Sequence, residues 1–497
     1  MKQPAKNCWR IWTRDEKACE EAIVSGVEVE AVPTSYGQND FILQFLYQSG
    51  LWSVMSEMEP DRLRKGNGKF PRTLNGVELI RELAGIDRIE RCGKVLRDVQ
   101  LMLRAGFNLE EVTRAVQKDR AIIDPETLSN HLARISPASA QWTFVEHLRV
   151  LRKRRWIRGS IYAADAHEII IPYGRKAERL GKVGEKYGFK LVVLINVSED
   201  RERIVGFSLA PLQVSERKML WGILRRLERE FGQVGKWMKV LILDRGYWGA
   251  RYLLQIKSCY GVDVVTRAQH EKLDAVEWLE TALKDASWQE YQEERSRLGK
   301  IRVRMAYVPD VPLYEDEKLV GHINAAVADE FDQQGNRLKD EDGEIRPRFY
   351  YMTTIKADNR PYSIRRFYLK RWVVENQGFR ELSTRWKVDT LAGKRFAANY
   401  ARLAFIFMLY NAERLLRLKH PGPWQKERER LRALGEGGLL GGPAIAVYTP
   451  QGHLGLLSSR KYRDLVRLAE RRRLAARLRA CMADGRDLRQ LLAELEA

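Results

Sequence analysis

Val240-Leu-Ile-Leu243, running straight into Asp244-Arg-Gly-Tyr247, is the stretch on which the fold turns. Four consecutive apolar residues are too few for a helix and read as a strand buried on both faces, the kind found in sheets flanked by helices. The strand closes on an acid, so a carboxylate stands at a strand end, where open α/β sheets place their sites. Working outward, residues 215–231 and 250–258 carry helical spacing and 262–266 is again a short apolar run. Upstream, 161–164 is short, apolar and followed by Asp165, while 169–171, 189–197 and 203–209 read as strands separated by turn-formers or charge. A strand-rich start followed by alternating helix and strand predicts an α/β core with a mixed sheet.

On either side the texture changes. From about 38 to 157 apolar residues recur at helical spacing, as in Val77, Leu79, Ile80 and Leu83, which predicts a helical N-terminal domain. Asn108 caps an expected helix at 109–116, and Asp124-Pro125 gives an N-cap with proline at the first helical position of 126–135. That pair reads either as an ordinary packed helix pair or as a helix-turn-helix with Asn130, His131 and Arg134 facing out toward bases or phosphates. Between 270 and 354 the pattern turns antiparallel, with strands at 301–308, 320–327 and 349–352 and turn signals at Asp332–Gly335 and Asp342-Gly343, predicting an inserted β-rich lobe. Helices are expected again at 363–385 and 397–418. Five glycines in 435–442 read as a flexible linker, and 459–497 as an Arg-rich helical tail.

Composition narrows the function. The chain has 497 residues and 87 Lys+Arg against 66 Asp+Glu, a net charge of +21, so dense arrays of phosphate are the first partners to consider. No run approaches the roughly 18 apolar residues of a membrane span, and the charged N-terminus offers no signal-peptide core. Cys8, Cys19, Cys92, Cys259 and Cys481 are odd in number and scattered, which argues for a reducing cytoplasm and against a zinc cage. Gly66-Asn67-Gly68-Lys69 lacks the phosphate-loop pattern, so no nucleotide cradle is expected.

With so many carboxylates, only placement is informative. Asp165 and Asp244 both stand after expected core strands, and two such groups can hold one divalent ion. A third would allow two ions roughly 3.5–4 Å apart, the arrangement that activates water and steadies a leaving oxygen in phosphoryl chemistry. The expected helix at 363–385 supplies Glu375, which shares a face with Tyr368 and Arg371 by spacing, while Phe367, Trp372, Val374 and Phe379 offer packing positions. His167 reads as a packed or solvent-facing strand residue before it reads as a ligand. Trp248 reads as core, with stacking on an unpaired base as the alternative. Residues 174–190 hold Arg175, Lys176, Arg179, Lys182, Lys186 and Lys190 among four glycines, which suits a solvated loop or a mobile one closing on a duplex backbone.

Ala164-Asp165, Leu243-Asp244-Arg245-Gly246-Tyr247 and Tyr368-Leu-Lys-Arg371-Trp-Val-Val-Glu375 together resemble the DDE transposases of the insertion-sequence 4-like group. That family carries Y-x2-R-x3-E-x6-K on the helix of its catalytic glutamate and D-R-G-Y/F after its second aspartate. Here the position seven after Glu375 is Leu382, with Arg380, Arg385 and Lys387 close by. The likeness runs from about residue 50 to 411. It implies a ribonuclease-H-like mixed-sheet core in which Asp165, Asp244 and Glu375 bind two Mg²⁺, with Mn²⁺ able to substitute. It also implies DNA contacts by Tyr368 and Arg371, to which Arg245, Lys176, Lys182 and Arg134 are added as candidates. The expected layout is a helical DNA-binding domain at 1–157 and core at 158–269. A β-rich insertion at 270–354 precedes the last part of the core with the catalytic helix at 355–418, and a linker and basic helical region occupy 419–497. The implied activity is cut-and-paste transposition on double-stranded DNA, joining terminal inverted repeats to target DNA, by a homodimer on paired ends in the nucleoid. A catalytically inactive or domesticated DNA-binding descendant is the alternative, and a ribonuclease-H-like nuclease without strand transfer a third reading.

Overall fold

The ten-residue strand Ile161–Ile170 organises the main sheet. It belongs to a computed structural model that describes residues 13–37, 41–61, 70–172, 176–198, 202–268, 274–295, 299–340, 343–357, 360–433 and 438–483. The strand runs parallel to Val240–Leu243, with Ala164 opposite Leu243, and antiparallel to Lys186–Asn196. Val240–Leu243 pairs in parallel with Asp263–Arg267, and Lys186–Asn196 pairs antiparallel with Arg203–Pro211. The sheet is therefore mixed, with helices Glu216–Phe231 and Ala250–Tyr260 in its crossovers. The sequence pattern predicts two short strands at 161–164 and 169–171, but one continuous strand forms. Its alternation puts Asp165 and His167 on a single face, so the polar residues need not break it.

Two further expectations change in the same way. Part of the predicted loop at 174–190 is a hairpin, in which Gly181–Val183 pairs with Lys186–Asn196 around Gly184 at φ +57°. At Gly188 a Cβ would come within 2.1 Å of the Ile169 carbonyl oxygen, so only glycine permits that strand pairing. Gly174 and Arg175 lie outside the described residues. The β-rich segment is not a separate lobe: Phe349–Thr353 pairs antiparallel with Asp263–Arg267, and Lys318–Phe331, Gly299–Glu315 and Trp288–Arg295 come next in order. An open strand edge offers unpaired N–H and C=O groups, and these strands take them up to make one ten-stranded sheet. Of the expected turns, Gly335 adopts φ +97°, and Asp342 lies outside the described residues.

The predicted single helix at 363–385 is interrupted. Helix Pro361–Leu369 is succeeded by a short helical turn Arg371–Val373, a π turn Val374–Phe379 and helix Arg380–Thr384. Such wide turns insert one extra residue and re-aim the next stretch of helix, and they recur at functional sites. Trp372, expected to pack, is 54% exposed.

The sheet and this helix belong to one compact unit, Leu148–Asp389. A second unit combines Met1–His147 with Thr390–Ala497. In it Asn108 and Asp124 cap helices Leu109–Gln117 and Pro125–Leu132 with their side chains, as their positions predict. Helix Phe396–Lys419 belongs here, and its buried Arg402 reaches Glu82 at 2.6 Å. Glu82 and Glu78 also hold Arg81 on helix Pro71–Leu83, so two acids and two cations balance in the interior. Residues 438–442 are no flexible linker. Leu439 and Leu440 are buried, and the Leu439 amide donates to the Leu83 carbonyl at 2.5 Å. The chain then forms a hairpin of Ala444–Tyr448 and His453–Leu457 that joins Glu30–Thr34 and Thr13–Arg14 in a four-stranded sheet. The basic helix Ser459–Ala483 packs near helix Glu16–Ser25 over Cys19, Ile23, Val447 and Leu457. Among the described residues no helix is long and apolar enough to cross a membrane.

His131, expected to face out, is buried at 5% exposure. The Asn75 amide nitrogen donates to the carbonyls of Ser56 and Met58, so its oxygen is left to accept from His131 Nε2 at 2.7 Å. Burial pulls this imidazole down to about 4. Its neutral form is the one the fold holds, so its contribution is complete above pH 6.5 and is lost as pH falls from 6.5 toward 4. In urea unfolding, the stability difference between wild type and His131→Gln is expected to change by on the order of 3 kcal/mol across that window. A pH-independent difference would contradict the assignment.

Candidate active site

Because Ala164 and Leu243 are opposite one another on parallel strands, the next residues of both strands, Asp165 and Asp244, stand side by side. Asp165 is still within its strand, opposite Val193, and its carboxylate accepts from the Ala166 amide at 2.8 Å. Asp244 lies just past its strand and leads into the single turn Arg245–Tyr247. Both carboxylates face one cation: Arg371 Nη1 is 3.7 Å from Asp165 Oδ2 and 3.6 Å from Asp244 Oδ1. The guanidinium is nearly buried and also lies over the Tyr368 ring, 5.6 Å from its centre. Tyr368 and Arg371 are three residues apart on the helix and share a face, as their spacing predicts. Burial raises the Tyr368 hydroxyl above its ordinary range.

Glu375 is the second residue of the π turn, and that turn packs against the strand carrying Asp165. The glutamate side chain lies outside the described residues. Among the described residues no cluster of three or more acidic, histidine or cysteine groups forms a metal cage. Leu382, at the position where the resembled family has lysine, is fully buried, so that side chain is core. Of the nearby cations, Arg380 is exposed and Arg385 is tied to Glu381 at 2.7 Å.

The remaining DNA-contact candidates are all exposed. Arg245 is exposed immediately after Asp244. Lys176 and Lys182 are exposed on and before the hairpin, with Lys182 over the Tyr187 ring at 5.4 Å. Arg134 is exposed in the other unit. Trp248 is half-buried.

Further residues, none of them among the predicted site residues, complete the surroundings of the acids and their helix. Tyr247 is fully buried and held well above its ordinary range, first by burial and then by Glu216, Asp165, Tyr252 and Asp244. Arg365, fully buried, binds Glu293 at 2.8 Å and Glu330 at 2.5 Å, both on strands of the added β segment, and donates to the Tyr351 hydroxyl at 3.0 Å. Burial opposes the charge of Glu330, but Arg365 and Arg295 outweigh it and hold the carboxyl below its usual range. Tyr351 in turn packs on Tyr368, ring centres 5.3 Å apart. The spacing Arg365, Tyr368, Arg371 repeats every three residues along one helix face and is the sequence signal that points to Arg365. His167 shares its strand face with Asp165. Its Nε2 lies 2.5 Å from Asp389, and its ring stacks on Phe379, at the end of the π turn, at 5.2 Å.

Residues 156–412, just over half of the chain, match the family model described as Transposase DDE domain. The chain belongs to the DDE-domain transposases. No curated protein matches it. Among solved structures it is similar to the cryo-EM structure of piggyBac transposase in a synaptic complex with hairpin DNA. The identity is 10% over 94% of this chain and 83% of that one, with a TM-score of 0.36.

In this DDE transposase the contacts of His167 fasten the end of the π turn to the acid-bearing strand. His167→Ala is expected to speed amide hydrogen exchange across Val374–Phe379. Unchanged exchange there would remove the fastening role.

Proposed function

We propose that this DDE transposase is a cut-and-paste enzyme of the insertion-sequence 4-like group on a ribonuclease-H-like core. The observation that carries the reading is the convergence of Asp165 and Asp244 on Arg371. The core strand order supports it as well: Arg203–Pro211, Lys186–Asn196, Ile161–Ile170, Val240–Leu243 and Asp263–Arg267 lie side by side, with Lys186–Asn196 antiparallel to both neighbours. The motif through Glu375 supports the assignment to the group.

Asp165 and Asp244 offer hard carboxylate oxygens aimed at one positive charge, a donor set that fits Mg²⁺ or Mn²⁺, with Glu375 as the third ligand. When bound, a pair of such ions polarises the phosphodiester and lowers the pKa of the attacking water or 3′-hydroxyl. The chain's own part is placement. Arg371, anchored by the Tyr368 ring, is a rigid fork suited to a phosphate oxygen beside the cleaved bond. A phosphate beside Arg371 would compete with the two carboxylates for its guanidinium, and Asp165 and Asp244 would then hold the ions together with Glu375. Hydrolysis at the transposon end and attack of the freed 3′-hydroxyl on target DNA are both in-line displacements, so one site serves both. Arg245, Lys176 and Lys182 extend the cationic surface along the duplex, and Arg134 serves the helical domain. Joining two ends calls for a homodimer.

Asp244→Asn and Glu375→Gln are expected to abolish Mg²⁺-dependent nicking of a transposon-end duplex while end binding persists; nicking that survives in either would end the metal assignment. Arg371→Ala should cost roughly 10²-fold in cleavage with little change in binding, because many other cations share the electrostatic load. Weakened binding with undiminished cleavage would contradict that role.

A further inference from the structure

Strand Ile161–Ile170 has a second feature at its opposite end. A cavity of about 470 Å³ opens there, between the start of the strand and the helix that leads to Arg371. Arg366 and Lys370 line it, four residues apart and so on one helix face, a different face from that of Tyr368 and Arg371. The hydroxyl-bearing residues Ser160, Ser198 and Ser363 line the rest, with Phe367 between the two cations, and among the described residues no carboxylate lines it. Ser198 is fixed from both sides of the strand start: its hydroxyl accepts from the Ile161 amide at 3.2 Å, and a Cβ on Gly159 would fall 2.2 Å from its oxygen. The Ser363 hydroxyl donates to the Arg360 carbonyl at 2.7 Å and the Ser198 hydroxyl to the Ile161 carbonyl at 3.4 Å, so the attraction for an anion comes from the two cations, Arg366 and Lys370. The volume lies in the range of about 300–1,000 Å³ common to ligand sites, more than one isolated ion needs.

The approach to this cavity is cationic too. The chain enters its wall from Arg152-Lys-Arg-Arg-Trp-Ile-Arg158, in which five of seven residues are cationic. Lys153, Arg154, Arg155 and Arg158 of that run are exposed, as is Lys239, whose amide donates to the Ser160 carbonyl at 2.8 Å. A surface of that sign around a cavity lined by two cations matches an extended polyanion better than a small one.

We propose that this cavity binds the phosphodiester backbone of duplex DNA at a second point, separate from the cleaved bond. The inference rests on the transposase reading. Four residues of strand separate Ile161 from Asp165, about 13 Å, which corresponds to the rise of roughly four base pairs along the axis of a duplex. The helix thus grips DNA through two faces: Arg371 at the reacting phosphate, and Arg366 with Lys370 farther along the backbone. Two fixed points set the angle of the duplex as well as its position.

The test is the salt dependence of binding by the full chain to a mixed-sequence DNA duplex. Each lost phosphate contact should make the slope of log affinity against log salt shallower by about 0.9. Arg366→Gln and Lys370→Gln are expected to show this shift, Arg366→Lys to retain the wild-type slope, and Lys284→Gln, at an exposed lysine away from the cavity, to leave it unchanged. Matched thermal unfolding midpoints identify variants that are folded. Inorganic phosphate, titrated at constant ionic strength, distinguishes the source of the anion. Phosphate binding that is lost in Lys370→Gln while the DNA slope stays at the wild-type value means a free-anion site and overturns the proposal, as does an equal shift in Lys284→Gln. A wild-type chain that binds no duplex overturns the transposase reading together with this site; a wild type that binds with the same slope as both glutamine variants overturns this site alone.

Discussion

The register between two short parallel strands is the constraint on which the active region depends. With Ala164 opposite Leu243, the backbone places Asp165 and Asp244 next to one another before any side-chain choice is made. A shift of one residue would turn one acid to the other face of the sheet and end the convergence. The buried apolar run Val240–Leu243, paired in parallel on both sides, fixes this register, so packing within the sheet is what holds two like charges together. Arg371 then lies against both and offsets part of their charge, which eases the closeness of the pair.

Around that point the added strands contribute rigidity. Glu293 and Glu330 hold Arg365 in the interior, Arg365 bonds Tyr351, Tyr351 packs on Tyr368, and Tyr368 lies beneath Arg371. A path of direct contacts therefore runs from the outer strands to the cation between the acids. Buried ion pairs contribute little net stability once desolvation is counted, but removing one partner leaves a stranded charge. The arrangement is better understood as fixing one geometry for the helix than as strengthening the fold. On the other side His167 and Phe379 restrain the π turn, so the segment bearing Glu375 is held at both ends.

Much of this is legible in the sequence, for identifiable reasons. Val240–Leu243 is readable to the residue because an apolar run bounded by charge has only one plausible conformation, and Asn108 and Asp124 because capping chemistry is local. The acids are legible by position after strands. The features that escape depend on partners distant in the chain. The continuous strand through Asp165 is hidden because its polar residues mimic a break. His131 looks exposed because its partner, Asn75, is 56 positions away. The π turn leaves no spacing signature that distinguishes it from α-helix, and Leu439 and Leu440 are hidden among glycines that suggest a linker.

The small sheet that joins Thr13–Arg14 and Glu30–Thr34 to the hairpin near the C-terminus has a consequence for biosynthesis. Cys19 meets the Val447 carbonyl across 428 positions of sequence. As the polypeptide leaves the ribosome, residues 13–34 must wait, incompletely paired, until residues 444–457 have emerged, while the ten-stranded sheet in between has all its own strands available earlier. Folding therefore proceeds from the large sheet outward, and a product that stops just short of residue 444 would retain the acids yet never close the four-stranded sheet.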